Sequence, residues 1–201
     1  MKKIFFAALP IATLAVMSLR TVNDPLPIGS AIPKPEIKMK DVSGKEVSLN
    51  DAKTSKGLLV MFSCNTCPYV IKNQARTIEA CKHAMSNGLG VVVLNSNEAN
   101  RESDDSYSEM QAYAKDQNYN WYYLVDNKST LADAFGANRT PECFLFNAEG
   151  KLVYHGAIDD NPANAADVSR KHLVSAMDEM VAGKDVSVKE SRSVGCSIKR
   201  L

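Results

Sequence analysis

Neither sign of charge dominates this chain. It has 24 lysines and arginines against 23 aspartates and glutamates in 201 residues, a net charge of +1. So even a balance offers no electrostatic footprint for nucleic acid or an acidic membrane surface. The closing Lys199-Arg200 reads as a solvated tail. Cysteine is scarce too. Five residues are too few for a disulfide-built scaffold, and the odd number leaves at least one thiol outside any internal bond. Cys81, Cys143 and Cys196 are isolated, so no second pair stands at zinc-site spacing and no metal or other cofactor is expected. Internal repeats and low-complexity blocks are missing, and the length suits one domain with modest extensions.

Apolar runs of membrane length are also lacking. The nearest is at the start, "MKKIFFAALPIATLAVMSLR", where Lys2 and Lys3 precede an apolar stretch from Ile4 to Leu19 broken by Pro10. That is short for a membrane span, so residues 1–18 are expected to be an export signal, with an uncleaved anchor as the alternative. Val16 and Ser18 stand in for the absent A-x-A cleavage site. An exported chain, periplasmic or otherwise extracytoplasmic, follows, with membrane contact only if the segment stays uncleaved. Residues 19–35 read as a proline- and glycine-rich linker, 36–184 as the domain and 185–201 as an irregular C-terminal tail.

Within the domain, "EIKMKDVSGKEVSLND" alternates apolar residues about a turn and predicts a hairpin. "GLLVMFS" and "GVVVLNSN" are continuous apolar runs, the form of strands covered on both faces. From Pro68 to Asn87, Val70, Ile71, Ala75, Ile78, Cys81 and Met85 recur at helical spacing, and Gly88 closes the helix. "SYSEMQAYAKDQN" predicts a helix and "WYYLVD" a strand, with Trp121, Tyr122 and Tyr123 packing. "STLADAFG" predicts a short helix capped by Ser129. A second hairpin turns at "NAEG", and "DVSRKHLVSAMDEMVAGK" is the final helix. The alternation gives an α/β fold, a central mixed sheet flanked by helices with an N-terminal hairpin extension.

The chemistry concentrates in "LLVMFSCNTCPYVIKNQ". Cys64 follows a central strand at its carboxyl end, where open α/β sheets hold their reaction sites. The free N–H groups and dipole of the helix that follows favour an anion there, so a lowered thiol pKa is expected for Cys64. Cys67, one turn on, can close a small disulfide with it, and Pro68 costs nothing in a first helical turn. A structural disulfide or half a zinc site are the rival readings; the strand-to-helix placement favours a redox pair.

Together with "RTPECFLFNAEGKLVYHGAIDD" from Arg139 to Asp160, "FSCNTCP" resembles the thioredoxin superfamily, in its redoxin branch of thioredoxin-like and peroxiredoxin-like proteins of the AhpC/TSA type. The resemblance spans about Ile28 to Lys184. It implies a thioredoxin fold and a cis peptide before Pro141, in a loop facing the cysteines. "GCSIK" near the end looks like the ending of a subgroup of these redoxins. There are departures. Thioredoxins carry Trp before the first cysteine and Gly-Pro between the two, where this chain has Ser63, Asn65 and Thr66; their buried acid falls near Leu58. Peroxiredoxins want proline and threonine where counting back from Cys67 gives Val60 and Cys64.

The expected function is thiol–disulfide exchange, with Cys64 attacking and Cys67 resolving. Pro141 shapes the groove for an extended substrate strand, and Asn65, Thr66, Thr140 and Arg139 form the groove or thiolate environment. The partners are protein or small-molecule thiols and disulfides plus an electron donor. Cys81 reads as an inert buried thiol. Cys143 and Cys196 are auxiliary thiols, expected to bond and pin the tail across the site. His83, His155 and His172 read as surface or hydrogen-bonded histidines, and Asp159 and Asp160 as capping or preceding the last helix. A thiol peroxidase is one alternative. A binding module that delivers copper through thiolates and His155, or recognises a partner, is the other.

Overall fold

The structure is a computed structural model and describes residues 24–201. The expected signal, 1–18, and the first part of the expected linker lie outside the described residues. The remainder of that linker is laid on the domain: Leu26 is buried and donates its N–H to the Phe135 carbonyl, and Gly29 donates to that of Leu152. Strands β1 (Met39–Lys40) and β2 (Glu46–Val47) form the first hairpin. Helix α1 (Leu49–Ala52) follows, its Ser48 cap and Asp51 reciprocating in a capping box.

The central sheet is built from β3 (Leu58–Ser63), β4 (Gly90–Asn95), β5 (Tyr122–Val125), β7 (Glu142–Phe146) and β8 (Leu152–Gly156), in the order β5-β4-β3-β7-β8. The first three are parallel, and β7 and β8 return antiparallel, as a late hairpin must. β6 (Arg139–Thr140) lies just ahead of β7, and β9 (Cys196–Ser197) is in the tail. The helices are α2 (Pro68–Ser86), α3 (Tyr107–Asp116), α4 (Thr130–Phe135) and α5 (His172–Val181). This is a thioredoxin fold.

Strand periodicity splits the core into two layers. Leu59 and Met61 of β3 face α2, α3 and α5, against Ala80, Cys81, Met110 and Met177. Leu58, Val60 and Phe62 face α1 and α4, against Leu49 and Leu131. Phe62, Phe135 and Phe144 meet there edge to face.

Three local expectations are corrected. The buried face of α2 is Val70, Asn73, Thr77, Ala80, Cys81 and Ala84, while Ile71 is 58% exposed. Asn73 tolerates burial because its amide donates to the Tyr69 and Pro162 carbonyls. Ser129 stands at the N-cap of α4, as expected, but its side chain does not cap: its hydroxyl donates to the Ser96 carbonyl, and Asp126 accepts from the N–H groups of Leu131 and Ala132. The last helix begins at His172, because Asp160 holds the N–H groups of Ser169 and Arg170 in a turn before it.

Candidate active site

At the carboxyl ends of β3 and β4 the chain gathers cysteines, amides and one buried carboxylate. Cys64 follows β3 directly, and Cys67 is the N-cap of α2 with Pro68 as its first helical residue. The Thr140–Pro141 peptide bond is cis, as the family resemblance implied. The Thr140 hydroxyl lies 3.5 Å from Cys64 Sγ, and its carbonyl oxygen 3.4 Å from Cys67 Sγ.

The disulfide differs from both sequence expectations. Cys67 is bonded to Cys196, and Cys64 is a free thiol. The proposed Cys143–Cys196 bond is overturned. Cys143 alternates to the opposite face of β7, into the core layer that holds Cys81, and its thiol is fully buried and free. Burial pushes both core thiols up, and Cys81 is buried as expected.

The electrostatics of Cys64 run against the expected lowering. Its sulfur does face the N–H groups of Cys67 and Thr66 and the Thr140 hydroxyl, all of which favour a thiolate. But Cys64 is only 2% exposed, packed with Cys67, Val70, Tyr69 and Cys196. Desolvation wins, with the charge of Asp105 adding to it, and the thiol pKa lies above its ordinary value.

The loop between the cysteines is fixed by the expected Asn65 together with residues that sequence reasoning passed over. Asp105 is fully buried and accepts from the Asn65 N–H at 3.0 Å, Asn95 Nδ2 at 2.7 Å and Asn97 Nδ2 at 2.9 Å. The Asn65 amide donates to the Asp104 carbonyl and accepts from the Tyr123 hydroxyl. Arg101 ties the same corner to the carbonyls of Asp105 and Asn95. The signal was present: "LNSN" and "SDD" cluster asparagine and aspartate just past a buried strand, at the sheet edge where Cys64 had been placed. Behind the cis-proline, buried Glu142 accepts from the N–H groups of Asn138 and Arg139.

Other expected residues divide. Thr66 is exposed between the cysteines. Arg139 is exposed and donates to the Ser197 hydroxyl at 3.2 Å, so it holds the tail. Asp159 precedes the last helix without capping it, and pairs with Arg76 of α2 at 2.6 Å, so it braces the loop after β8. His83 sits 2.6 Å from Asp178, and His155 stacks on Phe144 and faces Glu190 at 3.6 Å.

The tail has little regular secondary structure, as expected of an irregular arm, but it is laid on the domain as a strap. It crosses β8, where Ser191 donates its N–H to the His155 carbonyl. Gly156 and Gly195 permit the crossing: a Cβ on Gly156 would overlap Ser191, and one on Gly195 the Thr140 carbonyl. β9 then pairs antiparallel with β6, Thr140 opposite Cys196 and Arg139 opposite Ser197. Lys199 exchanges bonds with Asn97 and Ala99 beyond β4, and Arg200 pairs with Asp133.

Compared with known proteins, the chain matches the AhpC/TSA family over residues 28–155, more than half its length. No curated protein matches it. It is similar to a crystal structure of a hypothetical protein from Sinorhizobium meliloti 1021, at 34% identity and TM-score 0.80, covering 89% of this chain and 97% of the other. An uncharacterized conserved protein from Geobacillus kaustophilus gives 33% identity and TM-score 0.80, covering 87% and 93%. The thioredoxin domain of a thiol-disulfide oxidoreductase from Bacteroides vulgatus is similar at 22% identity and TM-score 0.53, over 65% and 88% of the two chains, which speaks for the fold alone.

Proposed function

This chain belongs to the AhpC/TSA family, and from that premise we propose that it is an exported thiol–disulfide oxidoreductase working through Cys64 and Cys67. The observation that carries the reading is the seat of Cys64. A free sulfur faces two backbone N–H groups and a hydroxyl beside a cis-proline, one turn from a cysteine already engaged in a disulfide. Such a seat supports a sulfur that must carry negative charge in passing.

With all three sulfurs reduced, Cys64 as thiolate attacks a substrate disulfide. One substrate sulfur leaves with the electron pair and takes a proton, and a mixed disulfide remains on Cys64. Cys67 then attacks Cys64 Sγ, the second substrate sulfur leaves reduced, and a Cys64–Cys67 bond is left. A dithiol donor returns two electrons and restores the enzyme. Export is supported by Lys2, Lys3 and the apolar stretch to Leu19. Cell fractionation with an antibody to the domain tests it: recovery in the cytosol overturns export.

The exchange assay is turnover of a protein disulfide with a dithiol donor. Cys64→Ser is expected to abolish it; full turnover by that variant would overturn the reading.

A further inference from the structure

The tail lies where an incoming strand belongs. We propose that Cys196 is a third redox cysteine: the C-terminal strand docks on β6 as the protein's own substrate strand, and Cys64, Cys67 and Cys196 exchange one disulfide among three sulfurs. The proposal rests on the reading that Cys64 and Cys67 exchange disulfides and adds a residue and a gating step to it.

Three independent observations converge. The first is the seat. Thr140, the residue before the cis-proline, pairs antiparallel with Cys196, and Ile198 donates its N–H to the Asn138 carbonyl. Edge pairing of this kind supplies main-chain affinity to an extended peptide. The seat is shaped for a backbone, because Gly195 passes so close to the Thr140 carbonyl that no side chain fits. The second is anchorage on both flanks. Before the seat, Ser191 donates its N–H to the His155 carbonyl; beyond it, Ile198 is buried and Lys199 bonds Asn97 and Ala99, so Cys196 is held in register over the site. The third is the count of sulfurs. Cys64, Cys67 and Cys196 share one small cluster, while Cys81 and Cys143 are in the core layer away from it. A bond across 129 residues, ending in the active-site loop, sits beside a free thiol able to attack it.

The internal step balances without a co-reactant. Cys64 gives up its proton and its sulfur attacks Cys67 Sγ. The Cys64–Cys67 bond forms as the Cys67–Cys196 bond breaks, and the electron pair leaves on Cys196, which takes up a proton. One disulfide and one thiol stand on each side. The latched isomer keeps Cys64 reduced and sealed and fills the groove. The open isomer releases the tail and frees the β6 edge for a substrate strand.

The test uses the full chain, oxidised with limiting diamide, quenched in acid, alkylated and mapped without reductant over time. Wild type should give two isomers at one oxidation level: Cys67–Cys196 with Cys64 alkylated, and Cys64–Cys67 with Cys196 alkylated. Cys64→Ser should give only the latched bond and Cys196→Ser only Cys64–Cys67. Gly195→Ala leaves every sulfur in place yet crowds the seat. It should lower the latched-to-open ratio roughly tenfold, the scale of an overpacking clash. Cys196 alkylated in every wild-type molecule would overturn the proposal. So would a Cys67–Cys196 bond that never converts to Cys64–Cys67. If Cys64→Ser loses turnover and either of those maps is found, the relay falls and the oxidoreductase reading stands. If Cys64→Ser keeps turnover, that reading falls and the relay with it.

Discussion

Replacing Asp105 with alanine should cost more than any other single change near the site, and the magnitude can be worked from its partners. Its carboxylate takes three donors, the Asn65 N–H, Asn95 Nδ2 and Asn97 Nδ2, at a fully buried position. A buried donor left without an acceptor costs about 1–3 kcal/mol, and a water entering the vacated space recovers part of that. A net loss of about 3–5 kcal/mol is expected, a large share of the roughly 5–15 kcal/mol that holds a domain folded. Asp105→Asn keeps the shape and one oxygen but turns an amide NH2 toward a donor, so about 1–3 kcal/mol is expected. Guanidinium unfolding followed through the only tryptophan, Trp121, buried against Tyr119, reads both values. The asparagine variant carries a second signature. The Asp105 charge is one of the influences holding the Cys64 thiol up, after burial, so its removal should move the pH midpoint of Cys64 alkylation downward from a wild-type midpoint above the ordinary thiol value. A loss below about 1 kcal/mol for Asp105→Ala would refute the network's role. So would an alkylation midpoint near neutrality in the latched wild type.

Arg76→Met should leave the buried Asp159 carboxylate unpaired and cost about 3–5 kcal/mol in the same unfolding assay, with most of it recovered by adding Asp159→Leu; no recovery would mean that Arg76 acts through its bonds to the Asn161 and Pro162 carbonyls instead. Cys81→Ala and Cys143→Ala should leave exchange turnover unchanged, because both thiols lie in the core away from the Cys64 cluster; a tenfold loss, about 1.4 kcal/mol, would put either in the reaction. Stopped-flow oxidation of the reduced protein by hydrogen peroxide should be no faster than that of free cysteine, given Val60 and Cys64 at the peroxidase positions. A much faster rate would make the protein a peroxidase.

What could be read from the sequence follows the kind of force involved. β3 and β4 were legible because strands buried on both faces need uninterrupted apolar runs, and α2 because Pro68 and Gly88 bracket it. Its buried face was misread because Asn73 and Thr77 are inside: for Asn73, hydrogen bonding to a carbonyl far away in sequence offsets the burial, and a periodicity of apolar residues cannot register that. The tail was illegible for a related reason. Its order comes from backbone pairing with β6, bonds to Asn97 and Ala99, and one disulfide, and none of these needs an apolar pattern. The lowered pKa expected for Cys64 rested on the helix amides alone, which the fold does supply. The strap adds burial, and burial of a thiolate costs more than those amides return.

The most direct measurement is capture of the substrate intermediate. Cys67→Ser, reduced and mixed with a peptide disulfide, leaves Cys64 without its resolving partner. Mass mapping should find the peptide bonded to Cys64. A protein that stays unmodified there, or that carries the peptide on Cys196 alone, would contradict the assignment of Cys64 as the attacking sulfur.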